Sequence, residues 1–343
     1  MFNILFTGCG SMGNYWMQYI LRREDCKIIG FCDIDLSHAR EYSEKYNLDV
    51  PIFGGINEAL ESLKDAVNLV IDTTSPDAHE LVTCAALRAG CDVLGEKPMA
   101  ENREGALNQL KAARETGKSF TTMQNRIYQP YMRTMRKAVQ DELLGKIGYL
   151  GADFFIGAHF GGFRDVMDNV LILDMAVHTF YQARFILGGK PTSVYCHEFN
   201  PAGSWYKGNA SAIAIFEFDN GAVFEYRGSW CAEGLNTSWE CDWRMIGEKG
   251  SIKWDGYSKP QMEKMPANAE GFIRQGEKSE LEYTGAVPME KLNGHEGCFD
   301  EMFAALNEGR PAETNCEENY ISMNMVYAAI ESAKRGEKVK ITY

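Results

Sequence analysis

A lysine fixed between a strand and a proline is the first candidate for chemistry in this sequence. The tetrapeptide Gly95-Glu96-Lys97-Pro98 follows an apolar run, so a strand end should hold the Lys97 ammonium in place. Upstream, Gly8-x-Gly10-x-x-Gly13 has the spacing of a turn that binds a dinucleotide. Either motif is weak alone. Together, and in this order, they indicate that a redox cofactor and a catalytic base share one site.

The glycine motif lies in the setting that a dinucleotide-binding turn requires. An apolar run over residues 2–7 predicts a buried parallel strand, and a helix is expected from Ser11 to about residue 23. Gly8 permits the tight turn, Gly10 lets the pyrophosphate approach the backbone, and Gly13 lets the helix pack on the strand. The amides at the start of this helix, those of Ser11 and Met12 among them, should face the phosphates.

Asp33 indicates which dinucleotide binds. It ends the second predicted strand and follows Gly13 by about 20 residues, where a carboxylate hydrogen-bonds a ribose 2′-hydroxyl. Because a carboxylate there repels a 2′-phosphate, the predicted cofactor is NAD, with NADP less favoured. His38 and Arg40 lie close in sequence and would weaken that preference if they turned towards the ribose.

Length and composition exclude several classes of protein. A chain of 343 residues is too long for one comfortable core, so two domains are expected. No apolar run could span a bilayer, no basic leader precedes the first strand, and the ten cysteines lack both CxxC pairs and zinc spacing. These features predict a cytoplasmic protein with no metal site and no membrane contact. A net charge of −13 argues against a nucleic-acid partner.

The rhythm of the sequence changes after about residue 123. Before it, short apolar strands near 3–7, 27–32, 68–73, 92–95 and 119–123 alternate with helices, which predicts a doubly wound parallel sheet. After it, long alternating runs predict an α+β domain with one large, mainly antiparallel open sheet. The expected domains are therefore 1–123 and 124–343. One face of the second sheet should meet another copy, as a homodimer or homotetramer.

A second group of candidates lies in an apolar, helix-spaced stretch of the second domain. Asp174 and His178 are four residues apart and should share a helix face, which Tyr181 joins one turn later. An imidazole beside a carboxylate suits general acid–base work, and oxidation of an alcohol needs a base for the hydroxyl proton. Lys97 and His178 are the two candidates for that base. The same spacing also fits a buried structural pair, and the residues alone do not decide between them.

The loop that precedes this stretch offers further candidates. Residues 157–165 are rich in glycine and include His159 and Arg164, which could bind hydroxyls or a carboxylate, although a plain surface loop fits the pattern equally well. Several tryptophans and tyrosines could form an aromatic platform for a sugar, but sheet core is the expectation for most of them. They are Trp205, Tyr206, Trp230 and Trp239.

Taken in order, these motifs resemble the Gfo/Idh/MocA family of nicotinamide-dependent oxidoreductases over nearly the whole chain. The matching pieces are residues 8–13, Asp33, residues 74–79, residues 95–98, Gln124-Asn125-Arg126 and Asp174-x-x-x-His178. The family pattern often has a proline where Ser75 stands and an acid where Tyr181 stands. The resemblance implies an N-terminal Rossmann domain followed by a substrate-binding domain with a large sheet.

The resemblance also implies roles for individual residues. Lys97 would be catalytic or orienting, with Glu96 and Pro98 positioning it, and Asp174 and His178 would bind a sugar-like substrate and transfer protons. The residues expected to line the cofactor site are Thr74, His79, Glu96, Lys97, Asn125 and Arg126, and those expected to touch substrate are Lys97, Arg164, Asp174, His178 and Tyr181.

Three functions are compatible with this resemblance. The leading hypothesis is an NAD-dependent dehydrogenase that oxidises a secondary alcohol of a sugar, inositol-like polyol or glycoside. A glycosidase that oxidises its substrate transiently and eliminates the aglycone would use the same cofactor and base. A non-catalytic sensor of NAD or sugar is less favoured, because relatives of that type tend to lack the Lys-Pro pair or the distal histidine.

Overall fold

The computed structural model describes residues 1–343, which form two compact units. The first comprises Met1–Gln124 and His295–Met323, and the second comprises Asn125–Gly294 and Asn324–Tyr343. The predicted second domain, 124–343, therefore differs from the structure in one late segment, His295–Met323, which belongs to the first unit. Aromatic packing explains the difference, since the ring of Phe299 lies 4.7 Å from that of Trp16 and 4.4 Å from that of Tyr19.

The first unit contains a six-stranded parallel sheet. Its strands are β1 (Phe2–Thr7), β2 (Cys26–Cys32), β3 (Ile52–Phe53), β4 (Leu69–Asp72), β5 (Asp92–Gly95) and β6 (Phe120–Thr122). They are arranged in the order β3-β2-β1-β4-β5-β6, which confirms the doubly wound prediction. The strand order reverses between β1 and β4, and such sheets bind ligands outside the carboxyl ends of the strands at this point. The two-residue strand β3 was missed because it is too short to carry a pattern.

Five helices connect these strands. They are α1 (Ser11–Ile20), α2 (Leu36–Tyr46), α3 (Ile56–Leu63), α4 (His79–Arg88) and α5 (Arg103–Thr116). The central strand β1 is buried on both faces, and Ile4, Leu5 and Phe6 have no exposed surface. Burial on both faces is what a parallel sheet covered by helices requires of its middle strands. The carboxyl end of β1 is thereby fixed where the glycine turn begins.

The second unit contains a nine-stranded sheet. Its strands are β7 (Ile147–Phe155), β8 (Pro191–Phe199), β9 (Ser211–Phe218), β10 (Val223–Ser229), β11 (Asp242–Gly247), β12 (Gly250–Trp254), β13 (Gln261–Lys264), β14 (Glu277–Glu280) and β15 (Val339–Lys340). The order is β14-β13-β12-β11-β7-β10-β9-β8-β15. All neighbours are antiparallel except β7 and β10, which are parallel, so the prediction of a mainly antiparallel open sheet is confirmed.

Helices cover one face of this sheet. They include α6 (Pro130–Gln140), α7 (Val177–Leu187) and, directly before α7, a π-helix over Leu171–Ala176. Phe180 of α7 packs its ring 4.8 Å from Phe216 and 5.3 Å from Tyr226, which both point to the helical side. The opposite face is open, with Ile213 and Ile215 of β9 44% and 45% exposed.

Two further helices close the chain, α8 (His295–Glu308) in the first unit and α9 (Cys316–Arg335), which passes from the first unit into the second. No helix combines the length and the apolar character that crossing a membrane requires.

Candidate active site

At the carboxyl end of β1, the glycine turn leads into helix α1, whose N-terminus has no side-chain cap. Gly8 has φ +81°, and a Cβ there would lie 2.5 Å from the backbone of Thr73 and Thr74, so only glycine fits. A Cβ on Gly10 would meet nothing within 4 Å, which leaves its backbone open to a ligand. No side chain caps α1 and no acid lies in its first turn, so its exposed amides are available to an anion.

Gly13 brings α1 against the sheet as predicted for its place in the motif. A Cβ there would lie 2.7 Å from the carbonyl oxygen of Gly8 and 2.7 Å from the hydroxyl of Tyr42. The close approach keeps the helix axis directed at the turn, which the fit of a pyrophosphate requires.

Asp33 is oriented by backbone amides at the end of β2. Its Oδ2 accepts a hydrogen bond from the amide of Cys9 at 2.7 Å, and its Oδ1 accepts one from Asp35 at 2.9 Å. The carboxylate is therefore fixed beside the glycine turn, on the neighbouring strand. This is the arrangement in which an acid binds ribose hydroxyls and disfavours a 2′-phosphate.

A buried ion pair lies beneath the loop that follows β4. Nδ1 of His79 is 3.1 Å from Oδ2 of Asp72, and both side chains are almost completely buried. The other oxygen of Asp72 accepts hydrogen bonds from the amide of Thr74 at 3.1 Å and from its hydroxyl at 2.6 Å. Asp72 therefore joins His79 to Thr74, two of the residues predicted to line the cofactor site.

Glu96 is the residue that fixes the position of Lys97 in the first unit. Its Oε1 accepts a hydrogen bond from Nε1 of Trp16 at 2.7 Å, and its Oε2 accepts one from the amide of Lys97 at 3.1 Å. Glu96 is buried, so both bonds are shielded from water. The helix that follows the glycine turn is therefore tied to the strand end that carries Lys97, a link that sequence reasoning missed because nothing in the local pattern marks Trp16.

In the second unit, Asp174 lies within the π-helix and is held by Arg164. Nε of Arg164 donates to Oδ2 of Asp174 at 2.6 Å, and Asp174 is only 3% exposed. Arg164 lies on a short 3-10 helix, Gly162–Val166, which the backbone of Lys207 secures by donating to the carbonyl of Asp165 at 2.8 Å. Two residues predicted to touch substrate are thus joined directly.

The helix that carries Asp174 and His178 is not the regular one expected from their spacing. Residues 171–176 form a π-helix, whose hydrogen bonds join residues five apart, and α7 begins at Val177. Asp174 is therefore turned relative to its α-helical position, while His178 lies in the first turn of α7. Such π-helical insertions occur frequently at functional sites. His178 is 6% exposed and Tyr181 2% exposed, so both side chains are buried.

Arg126 is anchored within the second unit, as is its neighbour Asn125 at the start of a 3-10 helix. Its Nη1 is 3.2 Å from Oε1 of Glu240 and also donates to the carbonyl of Trp239. Gln182 donates to the other oxygen of Glu240 at 3.3 Å. Burial raises the pKa of Glu240, and Arg126 partly offsets that effect. No local sequence pattern marks Glu240, because its partner Arg126 is distant along the chain.

Two of the four aromatic candidates lie in the core and two do not. Tyr206 and Trp230 are buried and their rings stack at 6.3 Å, and His159 stacks on Trp205 at 3.7 Å. Trp239 is 43% exposed, so its ring belongs to the surface of the second unit.

Two family models match the chain. Residues 2–124 match the family described as "Oxidoreductase family, NAD-binding Rossmann fold", and residues 132–253 match the "GFO/IDH/MocA C-terminal domain". The chain belongs to the GFO/IDH/MocA family. It is therefore an NAD-binding oxidoreductase, as the glycine turn and Asp33 indicated.

Named relatives of this GFO/IDH/MocA protein act on sugars. It is 23% identical to the 1,5-anhydro-D-fructose reductase of Ensifer adhaerens, over 97% of both chains. It is 25% identical to the D-glucoside 3-dehydrogenase of Escherichia coli, over 64% of this chain and 68% of the relative. A solved oxidoreductase from Agrobacterium radiobacter, in complex with NAD+, L-tartaric acid and magnesium, shares the fold with a TM-score of 0.84 at 17% identity, covering 99% of this chain and 98% of that one.

The residues present in the first unit fit NAD. The open backbone at Gly10 and the uncapped amides of α1 suit a pyrophosphate, and the fixed carboxylate of Asp33 suits ribose hydroxyls. The loop of Thr74 and the strand end of Lys97 lie at the same carboxyl edge of the sheet. When bound, NAD supplies the hydride acceptor for the chemistry of this family.

Proposed function

We propose that this oxidoreductase oxidises a secondary alcohol of a sugar, an inositol-like polyol or a glycoside with NAD. The observation that carries the proposal is the fixation of Lys97 at the NAD-binding edge of the first unit. Glu96 accepts from both Trp16 of α1 and the backbone amide of Lys97, so the helix that follows the glycine turn and the backbone that carries Lys97 are parts of one hydrogen-bonded arrangement. The names of the sugar-specific relatives support this substrate class.

Proton handling is assigned to Lys97 and His178. Loss of hydride from an alcohol carbon requires that the hydroxyl proton be accepted, and a positioned amine or imidazole performs that task near neutral pH. Asp174 and Arg164 form a neutral ion pair whose remaining hydrogen-bonding capacity suits substrate hydroxyls. In this proposal, Asn125 and Arg126 contribute to binding of the cofactor, and Tyr181 contributes to binding of the substrate.

Replacement of Lys97 by alanine tests this function. We expect kcat for oxidation of the sugar, polyol or glycoside to fall by about 10²–10⁴-fold. The affinity for NAD should change little, because Lys97 acts on the proton of the substrate hydroxyl and not on the pyrophosphate. The measurement is NADH absorbance with a panel of inositols, aldoses and glycosides, together with calorimetric titration of NAD. Replacement of the exposed Lys111 by alanine is the matched control.

Unchanged turnover in the Lys97 variant would remove the lysine from the mechanism. Release of an aglycone without accumulation of NADH would instead identify transient oxidation and elimination, and NAD binding without turnover of any kind would indicate a sensor.

Separately, we propose that a second copy of the chain covers the open face of the nine-stranded sheet.

A further inference from the structure

A closed circuit of side-chain contacts surrounds one side of Asp174 in the second unit. Each member contacts the next, and Met175 closes the circuit because it follows Asp174 in the sequence. The members, in order of contact, are Asp174, Arg164, Phe160, Trp239, Arg126 and Met175. The Arg164 guanidinium lies 5.1 Å from the ring of Phe160, and that ring lies 6.3 Å from Trp239. Arg126 completes the circuit, 5.8 Å from the Trp239 ring and with its Nη2 3.8 Å from Sδ of Met175.

The aromatic members of this circuit are exposed, whereas three other tryptophans of the second unit are buried. Phe160 is 52% exposed and Trp239 43%, whereas Trp230, Trp243 and Trp254 are at most 2% exposed. Adjacent exposed aromatic rings leave an apolar surface uncovered, and such surfaces on a folded unit mark sites of binding. Phe163, 49% exposed, extends this surface on the other side of Arg164, 4.6 Å from its guanidinium.

The circuit is fixed before any ligand arrives. Trp239 lies in a loop that Thr237 fastens to β7, donating its amide to the carbonyl of Phe155 at 3.0 Å. On the other side, the segment before Asp174 is fastened by the amide of Asn209, which donates to the carbonyl of Asp168 at 2.7 Å. A preorganised surface loses little conformational entropy when it binds a ligand.

Polar groups lie beside the aromatic surface. Nε and Nη2 of Arg164 contact Asp174, and the guanidinium lies against the ring of Phe160. Nε1 of Trp230 is buried without a partner, and the Trp230 ring lies 5.6 Å from Phe160. An apolar ring face with donors and acceptors at its edge matches a sugar, whose C–H face is apolar and whose rim carries hydroxyls.

We propose that Phe160 and Trp239 form a subsite for the second ring of a glycoside, so that the preferred substrates are glycosides and not free monosaccharides or inositols. This inference rests on the proposed function, in which the reacting sugar lies at Asp174 and His178. The Arg164 side chain lies between Asp174 and the Phe160 ring, and the Trp239 ring lies next to that of Phe160. A single ring at Asp174 leaves this surface uncovered, whereas a second ring joined to it by a glycosidic oxygen covers it.

The test is calorimetric titration of the NAD-loaded protein with phenyl β-D-glucopyranoside, phenyl β-D-galactopyranoside and the two free sugars. The wild type should bind one of the phenyl glycosides more tightly than its parent sugar. Trp239→Ala should weaken that binding roughly 3- to 10-fold and leave binding of the free sugar within about twofold. Trp239→Phe, which keeps an aromatic face, should restore most of the difference.

Tyr257→Ala is the matched control, since Tyr257 is a 74% exposed aromatic residue of the same unit outside the circuit. Equal binding of glycoside and free sugar, equal losses in the Trp239 and Tyr257 variants, or no binding of any glycoside would each overturn the subsite. Parallel NADH assays separate the two proposals: glycoside binding that depends on Trp239 without oxidation of any sugar refutes the dehydrogenase and retains the subsite.

Discussion

At the scale of single residues, the buried pair of Asp72 and His79 holds the loop that follows β4. Burial alone would lower the pKa of His79, but the adjacent Asp72 carboxylate outweighs this effect and the pKa is raised. Burial would raise the pKa of Asp72, and His79 with the hydrogen bonds from Thr74 keeps it lowered. Both shifts favour the ionised pair, which holds the loop that begins at Thr74.

We expect His79→Gln to lower the free energy of unfolding by about 3–5 kcal/mol near pH 6, since it leaves a buried carboxylate without its cation. Because the pKa of His79 is raised in the folded state, its contribution is complete below the unfolded value of about 6.5 and is lost as pH rises through the folded value. The difference in free energy of unfolding between variant and wild type should therefore become smaller in alkaline solution. Urea titrations from pH 6 to 9.5 measure it.

Asp77→Asn, at an exposed carboxylate of the same loop, is the control and should behave as wild type. A difference that stays constant from pH 6 to 9.5 would show that the His79 charge contributes nothing.

At the scale of elements, strand β8 helps to fix the segment that leads to Asp174. Oε2 of Glu198 accepts a hydrogen bond from the side chain of Asn169 at 2.8 Å, immediately before the π-helix. Burial raises the pKa of Glu198 to about 7, while Asn169 and Lys334 partly counteract it. Its other oxygen is buried without a partner, so the carboxylate is held at a cost in stability.

Glu198→Gln should stabilise the protein above pH 7 by about 1–3 kcal/mol and have little effect at pH 4.5. The folded pKa is raised, so the wild type loses stability as pH rises from about 4.5 to 7, where the unfolded carboxyl is already ionised. The amide keeps an oxygen acceptor for Asn169. Thermal unfolding at pH 4.5, 6 and 8 gives the comparison.

Glu217→Gln on β9 is a control whose effect on stability should have the opposite sign. The hydrogen bonds from Lys338 and Ser193 lower the pKa of Glu217, so its removal should be mildly destabilising at neutral pH. If the Glu198 variant is no more stable than wild type at pH 8, the burial of this carboxylate has no energetic consequence.

Sequence patterns predicted the elements that repeat a simple period and missed the features that depend on distant partners. The parallel strands and the glycine turn were found because burial and close packing act on neighbouring residues. The π-helix at Asp174 was not predicted, because the four-residue spacing of Asp174 and His178 is also that of an ordinary α-helix. The contacts of Arg126 with Glu240 and of Trp16 with Glu96 are made across 114 and 80 residues, beyond the reach of any local pattern.

At the scale of the whole molecule, the open face of the nine-stranded sheet exposes apolar side chains that no helix covers. Ile213 and Ile215 of β9 and Tyr195 of β8 each expose 44% or 45% of their surface on this side. A broad sheet face with adjacent apolar side chains marks a site of association. A second copy is the partner proposed above, because a two-fold interface would pair this face with itself.

The double variant Ile213→Glu, Ile215→Glu should reduce the assembly to a smaller species, since carboxylates brought together across a two-fold interface repel each other and lose water. Light scattering after gel filtration measures the mass of each species. Leu81→Glu, at a 60% exposed leucine on α4, is the control and should leave the mass unchanged. A monomeric wild type, or a double variant of unaltered mass, would exclude this face as the interface.

The return of α8 to the first unit has a consequence for the order of events during synthesis. The chain emerges from the ribosome N-terminus first, and domains generally fold as they appear. Yet Phe2 and Tyr19 receive their aromatic partners only when Phe303 and Phe299 have been made, after all the strands from β1 to β14. Until then, the NAD-binding sheet carries an unfilled apolar groove that chaperones or a misplaced segment can occupy.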